Sequence, residues 1–350
     1  MVTIKDIAEV AQVSHATVSY VLNGKAAEQK ISRKVCEKIL ALADELGYQR
    51  NEIARSFATG VTKVVCCVTN EITSEYNSRM LLGIMGAAEA AGYYIKVINV
   101  DSLPDKISQI VQIAVGQCLA GVICFGSHER EFHYKLYEAL NKHHIPIAFA
   151  NNSKPVPPCV NIYSDNRAGG QLAFRHLFEL GHRKFAIINN HPRSPWAIDR
   201  INGFVEVARS QGIRQQDLRI FSDCQSFLNH PATALFCIND YMAMQCIMAL
   251  QNSGFHVPED VSVVGYGDLT FARLAVPQIT TIGENLEQLG SRVFEQFLQK
   301  SILEKSSGYI EVMPVQLIER KSTASFKVQS SKFKGNASVI CSVGCVVRGA

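Results

Sequence analysis

No run in this 350-residue chain approaches the roughly 20 consecutive apolar residues that a membrane-spanning helix needs. The residues after Met1 form no apolar leader segment, so a cytoplasmic location is the expectation. The 11 cysteines include no C-x-x-C pair, and neither a zinc ribbon nor a dithiol redox motif is spelled. Several of them, such as Cys66-Cys67, Cys118, Cys124 and Cys159, sit among apolar residues and are expected to be reduced core thiols. Cys341 and Cys345 have no neighbouring His, so no metal is expected. No G-x-G-x-x-G follows the first strand-like run and no Ser/His/Asp set converges, so no catalytic residues and no cofactor are expected. Positive charge is scarce where it would matter. The net charge is +4, yet Lys327, Lys332, Lys334 and Arg348 in the acid-free stretch from Ala324 supply all of it. Bulk charge gives no argument for nucleic acid, and any such argument must rest on local arrangement.

What is present begins at once. In "TIKDIAEVAQVSHATVSYVLNG" Thr3 can cap a helix, with Asp6 three residues on as an approximate capping box, and Ile4, Ile7, Ala8 and Ala11 share a face. Ser14 can cap a second helix in which Val18, Val21 and Leu22 recur at helical spacing, stopped by Asn23-Gly24. Ser32 caps a third, with Val35, Ile39, Leu42 and Leu46 in one stripe and Gly47 at its end. Helices this short can bury their stripes only against each other. Two short helices joined by a tight turn form a helix-turn-helix, whose second helix enters the DNA major groove. His15 and Ala16, at the start of that helix, are the candidate base readers. Tyr20 lies one turn on, and Ser14, Thr17 and Ser19 are small donors suited to phosphate oxygens. A plain three-helix bundle for protein contacts is the alternative.

After Asn51 "EIARSFATG" has few apolar residues and reads as a linker able to become helical. From Val64 short β-rich runs ("VVCCVT", "YIKVINV", "GVICFG", "PIAFAN", "KFAIINN", "ALFCIN", "VSVVGYG") alternate with amphipathic segments such as 80–91, 107–118 and 197–211. That alternation indicates α/β architecture with parallel sheets covered by helices on both faces, too many strands for one small sheet. The Pro-rich "NNSKPVPPC" is the expected crossing between two lobes. Only about eight residues separate "RIFSD" from "ATALFCIND", short for a parallel crossover, so the strand at 219–222 is expected to lie outside the sheet or in a remodelled lobe. Past Arg320 the stretch 324–350 has no amphipathic period and reads as a disordered tail.

The chain resembles the lactose-repressor/galactose-repressor (LacI/GalR) family of bacterial transcription regulators. The matching pieces are "TIKDIAEVAQVS", "ATVSYVLNG", "ISRKVCEKILALADELGY" and "NEIARSFATG", then "DNRAGG", "LFELGHRKFAIIN", "NDYMAM", "VPEDVSVVGYGD", "PQITTI" and "LIERKST". The resemblance implies a helix-turn-helix head over 1–48, a hinge helix over 49–60, and a two-lobed core over 61–323 like the periplasmic sugar-binding proteins. It implies homodimers on near-palindromic operator DNA, no membrane, and a small effector, expected to be a sugar or derivative, bound between the lobes. The hinge position that carries a minor-groove wedge in the family is Phe57 here. The candidate DNA-facing set is therefore Thr3, Ser14, His15, Ala16, Thr17, Ser19, Tyr20 and Asn23, with Asn51, Ala54 and Phe57 in the hinge. The chain departs from the family at Gln12 (usually Gly), Arg50 (often Pro) and Tyr20 (often Arg).

Ligands of open parallel sheets bind beyond the carboxyl ends of strands. That rule nominates Tyr76, Asp101, Asn151-Asn152, Asn239-Asp240 and Gly267-Asp268, with Trp196 and Arg200 at the start of a helix facing the cleft. The resemblance implies effector contacts at Arg200 and Asn239, aromatic stacking at Tyr76 and a cleft-closing polar residue at Glu284. It places Asn152 where an Arg is common and Gly267 where a sugar-binding Asp is frequent. The candidate effector set is Tyr76, Asp101, Asn152, Trp196, Arg200, Asn239 and Glu284. A non-sugar effector (nucleoside, purine or sugar phosphate), a sugar-binding transport protein, and an enzyme on a nucleotide-binding fold are the competing readings.

Overall fold

The computed structural model describes residues 2–48, 62–100, 105–126, 130–151, 153–156, 158–305 and 308–326. They form two compact units, Met1–Thr62 and Lys63–Ala350.

The first unit holds three helices, α1 (Ile4–Ala11), α2 (His15–Leu22) and α3 (Arg33–Glu45). Two of the three expected caps are made. Thr3 and Asp6 close a reciprocal capping box, with the Thr3 N–H donating to Asp6 Oδ2 at 2.7 Å. Ser14 Oγ accepts from the Thr17 N–H at 3.1 Å. Ser32 stands at the N-cap of α3 without a side-chain bond. Ile7, Ala11, Val18, Val21 and Ile39 bury together as one small core. The α3 side chain Lys38 donates to the Ala11 carbonyl at 2.8 Å and so satisfies the end of α1. The tight turn after α1 needs a left-handed residue, and Gln12 takes that role at φ +57°.

The second unit is α/β in two lobes. Its first lobe runs β1 (Val64–Thr69), α4 (Glu75–Ala90), β2 (Tyr94–Asn99), α5 (Lys106–Gly116), β3 (Gly121–Cys124), α6 (Arg130–Asn141), β4 (Ile147–Ala150) and β5 (Val160–Ser164). The second runs α7 (Asn166–Glu179), β6 (Phe185–Ile188), α8 (Pro195–Ser210), β7 (Leu218–Phe221), α9 (Cys224–Phe227), β8 (Ala234–Cys237), α10 (Asp240–Asn252), β9 (Ser262–Gly267), α11 (Thr270–Leu274) and β10 (Thr280–Gly283). The chain then returns to the first lobe as α12 (Leu286–Gln296) and β11 (Tyr309–Met313), and ends in the second as β12 (Gln316–Ile318).

The strand orders are β11-β5-β4-β3-β1-β2 and β12-β10-β9-β8-β6-β7, the same plan twice. All pairings are parallel except β10 with β12. The central strands β3, β4, β6, β8 and β9 are buried along their whole length, which is why they read as continuous apolar runs. In the second lobe Phe174, Phe185, Phe204 and Phe236 interlock, with Phe204 stacked on Phe236 at 5.3 Å between ring centroids.

Each lobe also has one close helix pair. A Cβ at Gly83 of α4 would run into the Glu287 backbone of α12, and one at Gly290 into that of Met80. In the second lobe Gly170 of α7 meets the Arg200 backbone of α8, and Gly203 that of Arg167. Glycine is required at these crossings because the partner is main chain, which cannot step aside.

Two expectations are corrected and one pair of alternatives is decided. The Pro-rich stretch after β4 does not cross between lobes. It stays in the first lobe and leads to β5, held by Asn161, which bonds the Val156 and Cys159 backbones. The crossings fall at 164–166, 284–286 and 313–316. Of the two alternatives for the strand after residue 217 the second is the one seen: it lies in the sheet beside β6, and the lobe is remodelled locally, its crossover to β8 reduced to the single-turn helix α9. That short path sets α9 against α10, where Cys224 and Cys246 form a disulfide at 5.2 Å between Cα atoms. The core thiols Cys66, Cys67, Cys124, Cys159 and Cys237 are free, as expected. The described core continues to Phe326, whose N–H donates to the Leu180 carbonyl at 2.7 Å; 327–350 lie outside the described residues.

His182 ties this terminal stretch down. Its Nε2 meets Ser262 Oγ and the Ala324 carbonyl at 3.0 and 3.2 Å, and its Nδ1 meets Thr233 Oγ1 at 2.9 Å. A carbonyl only accepts, so Nε2 carries the proton and Nδ1 receives one from Thr233. Burial is the main cause that holds this imidazole down to about 4 from an ordinary 6.5.

Two outcomes follow for stability. Gln12→Gly removes the left-handed penalty without losing packing, since Gln12 is exposed. It should raise the stability of the helical head by about 0.5–1 kcal/mol; a lower melting midpoint by circular dichroism would contradict this. His182 makes the second lobe acid-sensitive. The unfolded chain takes the proton first, so stability present above pH 6.5 is lost as pH falls through 4. That amounts to about 2 kcal/mol by pH 5. Urea unfolding of wild type and His182→Gln at pH 7.5 and pH 5 should show a shallower pH dependence in the variant; equal slopes would refute it.

Candidate functional site

The head presents one face of α2 to solvent. His15, Ala16 and Tyr20 are exposed, Thr17 and Ser19 half-buried, and Val18 and Val21 buried. Several candidate polar residues have local work. Thr3 and Ser14 cap α1 and α2, the Ser14 and Thr17 hydroxyls lie 2.8 Å apart, and Asn23 Nδ2 donates to the Ser19 carbonyl at 2.8 Å. The side chains left pointing outward from the helix start are those of His15 and Ala16, with Tyr20 one turn on. Asn51, Ala54 and Phe57 lie outside the described residues.

The second unit contains a cavity of about 530 Å³. Its lining includes Glu71, Thr73, Glu75 and Tyr76 beyond β1, Asn151 beyond β4, Asn190 and His191 beyond β6, and Asn239 beyond β8. Trp196 and Arg200 of α8, Tyr241, Tyr266 and Phe271 are also in its wall. It thus lies at the carboxyl ends of both sheets, beside the points where strand order reverses. Asp101 and Asn152 lie outside the described residues.

Arg200 is 3 % exposed, and each of its three nitrogens donates to the protein. Its Nε donates to Asn166 Oδ1 at 2.7 Å, one terminal nitrogen to the Ile238 carbonyl at 2.7 Å, and the other to Glu284 Oε2 at 3.0 Å. The guanidinium stacks on Tyr266 at 3.4 Å and lies 4.8 Å from the Trp196 ring. Burial opposes its charge, but Glu284 and the surrounding oxygens outweigh burial and hold the group ionised. Glu284 is as buried as its partner. Its second oxygen accepts from the Tyr76 hydroxyl at 2.9 Å, and Asn151 Nδ2 reaches that same hydroxyl. Burial first, and then the charge of Glu284, push the Tyr76 phenol well up, so it stays a donor. Glu284 therefore enters the site as the partner of Arg200 and Tyr76 and does not line the cavity.

Other bonds cross between the lobes. The Glu75 carboxylate accepts from the Thr270 N–H and hydroxyl at 2.9 Å each, and Arg79 donates to the Asp268 carbonyl at 3.2 Å. Asn239 caps α10 through its amide oxygen, leaving its NH₂ for the cavity. Of the remaining strand-end candidates, Asp240 is buried and accepts from Thr281 and the Leu269 N–H, whereas Asp268 pairs with Arg273 and Arg320. Both are structural. Gly267 sits at φ +124°, a conformation that disfavours the Asp common in the family.

Glu71, Glu75, Asn190, His191, Tyr241 and Phe271 were not singled out by sequence. All of them, Phe271 after β9 included, follow a strand end within a few residues, so a wider window after each strand would have found them. His191 lies 5.2 Å from Trp196, and burial lowers its pKa, leaving it neutral near pH 7.

The family model for bacterial regulatory proteins of the lacI family matches residues 3–51, and that for a periplasmic binding protein-like domain matches 174–323. Among known proteins the chain is 26% identical to the HTH-type transcriptional repressor PurR of Vibrio atlanticus, over 92% of this chain and 98% of that one. It is also 26% identical to the HTH-type transcriptional regulator DegA of Bacillus subtilis, with the same coverage. Among solved structures, the lac repressor dimer bound to operator and the anti-inducer ONPF aligns with a TM-score of 0.79 at 27% identity, over 92% of this chain and 99% of that one. A LacI family regulator from Enterococcus faecium with bound ribose aligns at 0.67 and 22% identity, over 75% and 100%, a likeness of fold alone.

The buried pair gives a stability test. Arg200→Ala leaves Glu284 buried without its cation and should cost about 3–5 kcal/mol in urea unfolding. Arg200→Met combined with Glu284→Leu should recover most of that loss. A single variant within 0.5 kcal/mol of wild type would show that the pair carries no structural weight.

Proposed function

The chain belongs to the lacI family of bacterial regulatory proteins and is a DNA-binding transcriptional repressor, not an enzyme; from that premise we propose that it governs a carbohydrate-utilisation operon through a small effector bound between its lobes. The observation that carries this reading is the cavity at the carboxyl ends of both sheets. A ligand there touches both lobes, and only a difference in its affinity for two lobe arrangements can shift the protein between DNA-binding states. The chain acts as a homodimer in the cytoplasm, each head reading one half of a near-palindromic operator, with 49–60 as the hinge and Phe57 as an apolar wedge. His15, Ala16 and Tyr20 set base preference, while Thr17, Ser19 and Asn23 approach phosphates.

A second reading of the effector, a purine or nucleoside, is favoured by two observations. Relatives of the chain bear the name PurR. Five aromatic residues, Tyr76, Trp196, Tyr241, Tyr266 and Phe271, line the cavity, whereas Gly267 offers no bidentate acceptor for sugar hydroxyls.

Electrophoretic shift on DNA upstream of the neighbouring genes tests the function. His15→Ala should weaken binding by about 1–3 kcal/mol against a site carrying its preferred base and by little against sites altered there. Uniform weakening across all sequences would make His15 a phosphate contact and defeat the base-reading assignment.

A further inference from the structure

We infer that the cavity admits an effector without an anionic group, one that offers hydrogen-bond donors to Glu71 and Glu75 and a flat face to the surrounding rings. This rests on the reading of the cavity as the effector site and adds the charge class of its occupant.

The argument is one of charge accounting within the wall. Among the described lining residues the cations are Arg200 and, when protonated, His191. Arg200 already has a carboxylate of the protein, Glu284, 3.0 Å away and equally buried, so the pair presents no net charge. His191 is neutral near pH 7 for the reason given above. Two carboxylates remain in the wall, Glu71 and Glu75. Glu75 is turned toward Thr270, and Glu71 stands exposed, its charge felt by His191. The wall is therefore negative by about two charges, set in a cleft whose partial enclosure screens such a field less than open solvent does. A phosphate or carboxylate entering it meets repulsion, and the one guanidinium that could receive it is held by Glu284. A donor-rich ring meets acceptors and aromatic faces, which attract cations and polarised N–H edges.

The chain carries its own reporter. It has one tryptophan, Trp196, and that residue lines the cavity. Quenching of Trp196 fluorescence in the full-length protein by caesium and by iodide, at constant ionic strength and each normalised to free N-acetyltryptophanamide, reads the local charge directly. Caesium should quench at least twofold more effectively than iodide. Glu284→Gln, which frees the charge of Arg200, should reduce that preference. Glu71→Gln, at an exposed position that leaves folding untouched, should reduce it. Equal or greater quenching by iodide in wild type, or no change in either variant, would overturn the inference.

Calorimetric titration with adenosine against adenosine 5′-monophosphate, and glucose against glucose 6-phosphate, supplies the ligand arm. In whichever pair binds, the phosphate ester should be weaker by about tenfold or more. An ester that binds as tightly as its parent overturns the charge class. Failure of the effector reading looks different. It appears as a caesium preference with the predicted response to both variants, but no change of operator affinity with any cavity ligand.

Discussion

The arrangement of the second unit depends on one buried ion pair, Arg200 with Glu284. Removing two charges from water costs several kcal/mol each, and such a pair persists only when every remaining donor and lone pair is answered. Here each guanidinium nitrogen and both Glu284 oxygens find a partner, on elements far apart in sequence. Asn166 at the start of α7 and the Ile238 carbonyl after β8 each take a bond from one of the other two guanidinium nitrogens, and Tyr266 of β9 covers its face. Tyr76 of the first lobe takes the free oxygen of Glu284. The close packing of α7 on α8 through Gly170 and Gly203 brings Asn166 within reach of Arg200. Gly169, where a Cβ would strike the Tyr266 ring, makes room for that ring. A side chain at any of these glycines would move one member of the network and leave a buried charge exposed to an apolar wall.

Glu284 stands at the crossing from β10 of the second lobe to α12 of the first. The carboxylate thus sits on the chain segment that joins the lobes, with a cation from one and a phenol from the other. Glu75 with Thr270 and Arg79 with the Asp268 carbonyl add bonds across the same divide. The repeated plan of the lobes explains why the cavity forms there. Both sheets reverse strand order at corresponding positions, β1 in one and β6 in the other, and both send their post-strand loops into the same gap.

Much of this was legible in the sequence, and the boundary of legibility has physical causes. Helix caps are local, so Thr3, Asp6 and Ser14 could be read directly, and the box at Thr3 is present as spelled. Central strands buried on both faces announce themselves as apolar runs. Strand ends nominated Tyr76 and Asn239, because parallel sheets expose backbone and polar side chains there. Nothing local marked the lobe crossings. The proline-rich stretch is conspicuous because its chain is irregular, but the chain changes lobes in the short and unremarkable passage from Ser164 to Asn166. The partner of Arg200 was equally hidden. Arg200 and Glu284 are 84 residues apart and meet only after two sheets have formed. Composition could not reveal that the cation nominated for a ligand was already matched. The compressed crossover after β7 was visible as a deficit of residues. Its solution, a single-turn helix joined by a disulfide to α10, required knowing that β7 is an edge strand with no neighbour beyond it among the described residues.

The bonds between the lobes bear on how an effector could act on the proposed reading. In this arrangement the lobes already share Tyr76 with Glu284, Glu75 with Thr270 and Arg79 with Asp268. A ligand that only filled the cavity, touching both lobes equally in every arrangement, would shift nothing however tightly it bound. To change the lobe angle it must interact differently with groups that those bonds engage, and Glu75 and Tyr76 are the ones that are both in the wall and bonded across the divide. The hydrogen bonds that close the structure and the side chains that would sense a ligand are therefore the same. On that reading occupancy and lobe geometry would be coupled at those two residues, without any relay through the core.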